Sequence, residues 1–597
     1  MRLHPLLTAA IALLIALLIG PMIAGCAARG TGPDAGPAAA RSEVQVTIHR
    51  GDDDLLTAGL GLNGLRGAAP PMAGTDSGDA ALLRRLAIHS NYRGLVDLSP
   101  TGGFEVDATL PDVPGREYQA FVTLPDAGQP VRVLLQLPDA FDPDDPCVVV
   151  APVSGSRGIY GGLPVAGPWA LPRGCAVAST DKGAGTDLFD HASATGVVLA
   201  GTRADRDAPL GFEPAALERP LVSVPHAHSG DHPEADWGRH TIESVRFALD
   251  MLDRAFPDRA PFRADGVRVI AAAISNGGSA ALRALEQAEP GLFDAAVVAA
   301  PNVTPPGARP LYDYATEAAL LQPCALADPV SLVQLPFGNP GLLAVGQQRC
   351  ESLAGAGMIA SATPEAARVV MKAGGFDAGA LEQMAVNTTL DVWRSIAAMY
   401  ASAYLRTPVD AMPCGFAVAV TGEDGEPVPA EPAQRRLWWA TSSGVVPGAG
   451  IDWIDSLAAG RESDPAFPGL ACLRGLWTAS GERATGLRAA VEVTRATGDL
   501  PDVPVIVLHG RQDGLIPAAF SARPYVDAAR ARGVGRLAYW EIDGAQHFDV
   551  LVPFSGLSTR YRPLLPYLWD ALDQVAAVLD DDAALGGDRT IVALPRD

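Results

Sequence analysis

The sequence predicts an α/β fold: a doubly wound, mostly parallel sheet that carries a large inserted helical cap. Short all-apolar runs, such as residues 147–153 and 504–508, suit strands that are buried on both faces. Helical periodicity lies between such runs, for instance over residues 240–255. About two hundred residues separate the apolar run at 293–300 from the one at 504–508, although a single crossover helix would suffice to join two parallel strands. The excess predicts an insertion in the sheet domain.

The N-terminus predicts export. Arg2 precedes an apolar stretch over residues 6–19, which is too short to cross a bilayer but suits the core of a signal peptide, predicted here for residues 1–25. The stretch leads into Ile-Ala-Gly-Cys26, which resembles a bacterial lipoprotein box and predicts lipidation of Cys26. Ordinary signal cleavage near the same point is the alternative, and it gives a freely secreted protein. Both interpretations predict an extracytoplasmic protein, with residues 26–42 as a flexible tether.

The remaining chain divides into a sheet domain and its insertion. We expect the sheet domain to take residues 43–305 and 500–597, and the cap to take residues 306–499. Six cysteines follow Cys26, an even number that indicates disulfides in an oxidising compartment. Their spacing fits no metal site, so no metal is expected. We predict two bonds that close loops in the cap, Cys324 to Cys350 and Cys414 to Cys472.

Composition narrows the class of partner. Of the 597 residues, 48% are hydrophobic and 19% are charged, which is typical of a globular protein. The net charge is −23 and no basic patch stands out, which argues against nucleic acid and against docking on anionic lipid. The predicted lipid anchor is then the one expected link to a membrane. No glycine-rich phosphate loop follows the first strand, so no cofactor is expected.

A serine turn in the middle of the chain predicts a nucleophile. The apolar run over residues 267–273 leads into Ile-Ser275-Asn-Gly-Gly278, and an alanine-rich helical stretch follows over residues 279–286. Strand, tight turn with a central serine, and helix is the order of a nucleophile elbow, with Ala273 in place of the usual first glycine. An ordinary loop is the alternative on these residues alone.

Two later strand ends supply an aspartate and a histidine. The apolar run over residues 504–508 leads into Asp513, and the run over residues 536–542 leads into His547. The chain order Ser275, Asp513, His547 is that of α/β-hydrolases, which refines the predicted fold to that type. In such a triad the histidine takes the proton of the serine, and the aspartate holds the imidazole in the working tautomer. A turn aspartate and a loop histidine are the alternatives.

The same chemistry requires an oxyanion hole. Tetrahedral attack places negative charge on the carbonyl oxygen, and hydrogen-bond donors must face it. One donor is expected from the backbone amide of Asn276, directly after the nucleophile. The second is expected in the loop after the strand at residues 147–153, at Gly155, Ser156 or Arg157, because a glycine lets amides converge on an anion. A simple flexible turn is the alternative for this loop.

Several segments resemble the bacterial (R)-3-hydroxybutyrate oligomer hydrolases, and the resemblance covers most of the mature chain. In that family the serine of the Ser-Asn-Gly-Gly segment is the nucleophile, a role that the resemblance assigns to Ser275. The resemblance also implies hydrolysis of short 3-hydroxybutyrate esters, such as the dimer, to the free hydroxy acid. The segments that carry it are Asp54-Leu-Leu-Thr-Ala-Gly-Leu-Gly-Leu62, Asn91-Tyr-Arg-Gly94, Ser154-Gly-Ser-Arg-Gly158, Arg173-Gly-Cys-Ala-Val-Ala-Ser-Thr-Asp-Lys-Gly183, His226-Ala-His-Ser229, Asp236-Trp-Gly-Arg239 and Ser275-Asn-Gly-Gly278.

A rare lysine suggests a contact with the substrate. The chain has two lysines, Lys182 and Lys372, and Lys182 follows a predicted strand at residues 175–179, where loops face the active site of such folds. Short hydroxybutyrate oligomers end in a carboxylate, which a fixed cation binds. Lys182 is therefore a candidate, with Arg157 beside the oxyanion loop as the next. An ion pair of Lys182 with Asp181 or Asp187 is the alternative.

Taken together, these features predict a serine esterase whose partner is a small-molecule ester, namely a short (R)-3-hydroxybutyrate oligomer. A feruloyl esterase or tannase with a large cap is the alternative within the fold, and it would need a pocket for an aromatic ring. The alternative from another class is a non-catalytic surface lipoprotein on a hydrolase scaffold. The presence of Ser275, Asp513 and His547 together disfavours it, because a scaffold needs none of them.

Overall fold

A central sheet of eleven strands organises the chain. The computed structural model describes residues 38–592, except 72–77, 105–107, 336, 442, 447, 555 and 582. The predicted signal peptide, Cys26 and most of the tether lie outside the described residues. In chain order the strands β1 to β11 are Ala40–Arg41, Gln45–His49, Gly115–Thr123, Val131–Pro138, Cys147–Val150, Ala176–Thr180, Arg268–Ile274, Ala295–Ala299, Val505–Gly510, Leu537–Asp543 and Arg589–Val592.

The sheet is antiparallel at one end and parallel elsewhere. Its order is β1-β3-β4-β6-β5-β7-β8-β9-β10-β11, and β2 also pairs with β3. The antiparallel pairs are β1 with β3, β2 with β3, β3 with β4, and β4 with β6. All pairs from β6 to β11 are parallel. The predicted mostly parallel sheet is thus confirmed, and the carboxyl ends of its parallel strands meet at one edge.

Helices cover both faces of the central sheet, and the side chains of each central strand point alternately to the two faces. In β7, Ile270 and Ala272 belong to a buried cluster on one face, which includes the helices Ala80–Leu95, Leu163–Ala170 and Leu565–Asp581. Val269, Ala271 and Ala273 belong to the cluster on the other face, with the helices Pro233–Ala255, Ser275–Gln287 and Ala522–Ala531. Successive side chains of a strand point to opposite faces, so a strand buried on both must be apolar throughout. This accounts for the continuous apolar runs.

The insertion, residues 300–504, lies between β8 and β9. It contains the helices Leu311–Ala325, Pro329–Gln334, Gly341–Gly355, Pro364–Ala373, Ala378–Leu381, Met384–Thr389, Val392–Leu405, Pro432–Trp438, Phe467–Thr478 and Glu482–Glu492. It is not purely helical as expected, because Phe416–Thr421 pairs antiparallel with Pro427–Val428 and Asp452–Asp455. The predicted limits of the cap at 306 and 499 stay a prediction.

Smaller elements complete the described chain. Phe189–Asp190 pairs with Val222–Ser223, and Gly196–Val197 pairs with Arg203–Ala204. Short helices occur at Gly61–Arg66 and Pro225–His228. Within residues 38–592, apart from the gaps given above, no helix combines the length and apolarity needed to cross a membrane.

Three disulfides link the six cysteines. Cys324 bonds to Cys350 and Cys414 bonds to Cys472, which confirms both pairings predicted for the insertion. The third bond joins Cys147 to Cys175 in the sheet domain, where the parallel neighbours β5 and β6 bring the two Cα atoms to 4.6 Å. Three disulfides are typical of an extracytoplasmic protein.

Candidate active site

Ser275 occupies a sharp turn between β7 and the helix Ser275–Gln287. Its φ is +55°, a left-handed conformation that costs a residue with a side chain about 1–3 kcal/mol and that clusters at functional sites. The turn requires small neighbours, because a Cβ added at Gly277 would lie 2.3 Å from the carbonyl oxygen of Pro152. At Gly278 it would lie 3.0 Å from Cβ of Pro301. The geometry is that of the predicted elbow.

The structure brings Ser275, His547 and Asp513 into one hydrogen-bonded chain. Asp513 follows β9 and His547 follows β10, so both stand at the same edge of the sheet as the elbow. Nε2 of His547 lies 3.1 Å from Oγ of Ser275, and Nδ1 of His547 lies 2.7 Å from Oδ2 of Asp513. Side chains that are separated by 272 positions in the sequence thus form one relay.

Asp513 is a buried carboxylate with both oxygens occupied. Its Oδ1 accepts hydrogen bonds from the amides of Leu515 and Ile516, at 3.0 and 2.7 Å. Burial would raise the pKa of Asp513, but His547 and His509 outweigh burial and hold that pKa well below its usual range. Because an ionised carboxylate only accepts, the proton of His547 sits on Nδ1, and Nε2 faces Ser275 as an acceptor.

A cavity of about 260 Å³ opens over Ser275. The polar residues at its wall include all four predicted positions of the oxyanion region, Gly155, Ser156, Arg157 and Asn276. The sheet domain and the insertion both line it. Its apolar wall is formed by Leu95, Ile274, Ala300, Leu311, Leu390, Val392, Ile396, Val445, Val446, Leu515, Ile516, Phe548, Leu564 and Leu565.

The prediction that Lys182 binds substrate is wrong. Lys182 is fully buried and does not line the cavity; its ammonium donates to the carbonyl oxygen of Gly155 at 2.7 Å and lies 5.0 Å from the ring centre of Trp237. The alternative, an ion pair of Lys182 with Asp181 or Asp187, is not seen either. The backbone of Lys182 is left-handed, with a φ of +50°, and its side chain is occupied by the oxyanion loop, which leaves it no access to the cavity.

Arg157 does lie at the cavity, and it is held in place. One guanidinium nitrogen donates to the carbonyl oxygen of Gly94 at 2.9 Å. Burial lowers the pKa of Arg157 to about 10. At neutral pH the side chain therefore stays a cation that lines a mostly apolar chamber.

Sequence reasoning places His226 near the mouth of the active site but does not identify the partners that form a second buried group beside the elbow. Nδ1 of His226 lies 2.8 Å from Oγ of Ser156, and its Nε2 contacts the carboxylate of Glu234. The ring of His226 packs edge-on against Tyr400, and the Tyr400 hydroxyl accepts a hydrogen bond from the side chain of Asn276 at 2.9 Å. The segment that contains His226 carries part of the family resemblance, but its spacing does not reveal these partners.

Asp549, which follows His547, does not take part in the relay. Its two oxygens accept from the amides of Leu564 and Leu565, at 2.7 and 2.8 Å, and so anchor the start of the C-terminal helix Leu565–Asp581. Burial raises the pKa of Asp549 to about 7. In the described part of the chain, no group of three or more histidine, cysteine, aspartate or glutamate side chains has the arrangement of a metal site.

A doubly wound sheet with a serine elbow, followed in order by an aspartate and a histidine at strand ends, defines an α/β-hydrolase. The chain belongs to the 3HB-oligomer hydrolase family, whose model matches residues 22–597. Relatives named D-(-)-3-hydroxybutyrate oligomer hydrolase include those of Paracidovorax citrulli, 36% identical over 92% of this chain and 88% of the relative, and of Cupriavidus metallidurans, 36% identical over 95% and 88%. The chain is thus an ester hydrolase, which removes the non-catalytic alternative.

Solved structures of esterases share a distant likeness with the chain. The rice cell wall degrading esterase LipA from Xanthomonas oryzae has a TM-score of 0.38 and 11% identity, covering 80% of this chain and 93% of its own. Candida antarctica lipase A has a TM-score of 0.34 and 14% identity, covering 81% of each chain.

Proposed function

We propose that this protein is a serine esterase that hydrolyses short (R)-3-hydroxybutyrate oligomers, such as the dimer and trimer, to 3-hydroxybutyrate. The observation that carries the proposal is the relay of Ser275, His547 and Asp513 beneath a mostly apolar cavity. Membership of the 3HB-oligomer hydrolase family supports the substrate class, since relatives are named for it.

Catalysis proceeds in two acyl transfers. In the first, Oγ of Ser275 attacks the ester carbonyl while Nε2 of His547 takes the hydroxyl proton and passes it to the departing alkoxide. This step leaves the acyl group on Ser275 and releases the alcohol end of the substrate. In the second, His547 takes a proton from water as the water attacks the acyl-enzyme, and it returns that proton to Oγ of Ser275 as the acid leaves. Asp513 keeps the imidazole in the working tautomer and stabilises its charged form.

The negative oxygen of each tetrahedral intermediate needs two donors. The amide of Asn276 follows the nucleophile directly and supplies the first, and the loop at Gly155 and Ser156 supplies the second. The apolar wall contributed by the insertion suits the methyl-substituted chain of a hydroxybutyrate oligomer and excludes water from the reacting carbonyl.

Arg157 is the candidate that binds the terminal carboxylate of the oligomer, now that Lys182 is excluded from the cavity. A guanidinium pairs well with a carboxylate, and a partly desolvated charged hydrogen bond contributes about 1.5–3 kcal/mol. Arg157→Met is expected to raise the KM for the dimer more than tenfold and to change the KM for an uncharged aryl butyrate by less than threefold. An equal loss on both substrates would mean that Arg157 acts by supporting the loop through Gly94.

Export completes the proposal. The predicted lipoprotein box would anchor the mature chain at Cys26, and cleavage without lipidation would leave the enzyme free outside the cytoplasm. Labelling cells with a radioactive fatty acid distinguishes the two, because wild type incorporates label only if it is lipidated and Cys26→Ser serves as the control.

The decisive test compares purified protein on three substrates: 3-hydroxybutyrate dimer, a feruloyl ester and an aryl butyrate. Rapid release of 3-hydroxybutyrate from the dimer, with kcat/KM at least a hundredfold above that for the feruloyl ester, is expected. The reverse preference would support the feruloyl esterase alternative. Ser275→Ala, which lacks the nucleophile, is the control for background hydrolysis.

A further inference from the structure

The oxyanion loop, residues 154–156, is held from behind by a buried ammonium group. Nζ of Lys182 donates to the carbonyl oxygen of Gly155 at 2.7 Å. Lys182 has no exposed surface, and its ammonium lies against the face of the Trp237 ring. Burial lowers the pKa of Lys182 to about 7, so the nitrogen is partly uncharged near neutral pH, and its N–H groups donate in either form. This hydrogen bond fixes the direction of the Gly155 carbonyl.

The direction of the Gly155 carbonyl sets the direction of the next backbone amide. In a trans peptide the carbonyl and the following N–H point in opposite directions. The bond between Gly155 and Ser156 is trans, since Ala260–Pro261 is the one cis bond recorded in the described part of the chain. When Lys182 draws the Gly155 carbonyl into the protein, the amide of Ser156 must point the other way. Ser156 is one of the residues that line the cavity over Ser275, and an amide that points away from Lys182 can face that cavity.

The other polar groups of Ser156 are already used. Its hydroxyl is bonded to Nδ1 of His226 at 2.8 Å, and its carbonyl accepts from the amide of Gly444 at 2.5 Å. Across residues 38–592, outside the gaps, no acceptor is recorded for the Ser156 amide itself. Gly155 has a φ of +48°, which glycine adopts without strain and which allows this orientation of the peptide.

The position of His226 is itself fixed. Burial would raise the pKa of Glu234, but His226 and His232 outweigh burial and hold that pKa well below its usual range. The ionised carboxylate of Glu234 therefore orients the ring of His226, which in turn holds the Ser156 side chain. The loop thus has two buried supports, one on the carbonyl of Gly155 and one on the hydroxyl of Ser156.

We propose that Lys182 is a positioning residue, which aims the amide of Ser156 at the developing oxyanion and so completes the oxyanion hole with Asn276. The proposal rests on the esterase function proposed above and names the residue that assembles its second donor. In this role Lys182 contacts the loop that binds the transition state, whereas the sequence analysis expected it to contact the substrate. Lys182 therefore acts on every ester alike and does not discriminate by charge.

The test compares Lys182→Met, which removes the donor, with Lys182→Gln, which keeps a neutral one. Lys372→Met is the matched control, because it removes the chain's other lysine from an exposed position on the helix Pro364–Ala373. Loss of one oxyanion donor costs about 10²–10³ in kcat, so Lys182→Met should approach a hundredfold loss and Lys182→Gln about tenfold. The KM of both the dimer and an aryl butyrate should change less than threefold.

A transition-state analogue separates this role from a structural one. A trifluoromethyl ketone forms a tetrahedral oxyanion on Ser275, so its Ki should rise by the factor by which kcat/KM falls. The Ki of the product 3-hydroxybutyrate, which forms no oxyanion, should stay within threefold. A raised KM with an unchanged kcat, or equal weakening of ketone and product, would overturn the proposal.

Folding and the proposed function are checked separately. If Lys182→Met does not fold, Lys182→Gln decides by the same criteria, with thermal unfolding used to establish that it is native. Unchanged kcat in folded Lys182→Gln, with unchanged affinity for the ketone, would also overturn the proposal. Failure of wild type to hydrolyse either ester would instead refute the esterase function, so the two failures are distinguishable.

Discussion

Replacement of Asp513 by asparagine tests the relay with little disturbance of the fold. Oδ1 of Asp513 accepts two backbone amides, from Leu515 and Ile516, while Oδ2 accepts from Nδ1 of His547. In Asp513→Asn the two amides need an acceptor, so the new amide oxygen takes the Oδ1 position. The NH₂ group then faces His547 and donates to Nδ1. The imidazole must carry its proton on Nε2, where it can no longer accept from Ser275.

The expected loss is that of a base locked in the wrong tautomer. Such a change costs about 10⁴ in kcat, or about 5.5 kcal/mol in the activation free energy. The fold should be retained, because the amides of Leu515 and Ile516 keep their acceptor and the volume is unchanged. Loss of the charge interactions that lower the pKa of Asp513 should cost about 1.5–3 kcal/mol of stability. Steady-state rates on dimer and aryl butyrate, with unfolding in denaturant, measure both quantities.

A rate within tenfold of wild type would refute this account of Asp513. Asp549→Asn is the matched comparison, because Asp549 is also a buried carboxylate beside His547 and also accepts two backbone amides. Its loss should reduce kcat by less than about tenfold. If Asp549→Asn were the inactive variant and Asp513→Asn the active one, the acid of the relay would have to be reassigned to Asp549.

Three further predictions follow from the structure. Ser275→Ala should abolish labelling by a fluorophosphonate, seen by mass spectrometry, and retain the wild-type circular dichroism spectrum. Replacing Cys324 and Cys350 by alanine reopens a loop of 26 residues and should lower the free energy of unfolding by about 3.5 kcal/mol in denaturant titrations. Burial would raise the pKa of Glu117, but Arg84 outweighs it and holds that pKa below the usual 4.5. Glu117→Gln should therefore cost roughly 3 kcal/mol at pH 7, and the difference should shrink as the pH falls below 4.5, because protonation removes this contribution from wild type.

The relay was predictable because each of its residues lies within about five residues of the end of an apolar run. Strands buried on both faces are visible in the sequence as continuous apolar runs, and parallel strands place their carboxyl ends at one edge of the sheet. Ser275, Asp513 and His547 are therefore found by position alone. The disulfides of the insertion were predictable for a related reason, since Cys324 and Cys350 close a short local loop.

Lys182 was mispredicted because its environment depends on tertiary contacts that have no local signature. The sequence indicates that it follows a strand, but not that its φ is positive or that the loop at Gly155 passes behind it. The small sheet of the insertion was not predicted for the same reason, since Phe416–Thr421 pairs with Asp452–Asp455 across an intervening helix. Nonlocal pairing of short strands leaves little trace in periodicity.

Strained and buried polar residues stand at the carboxyl edge of the parallel strands, close to Ser275, and their position there argues for function. This edge contains the left-handed Ser275, the buried side-chain nitrogen of Lys182 and the ionised Glu234. Buried ionic groups can often be exchanged for apolar residues without loss of stability. Their presence behind the loop that faces Ser275 is best explained by a need to fix donors in place before the substrate arrives, because an oxyanion hole that must reorganise during the reaction loses most of its benefit.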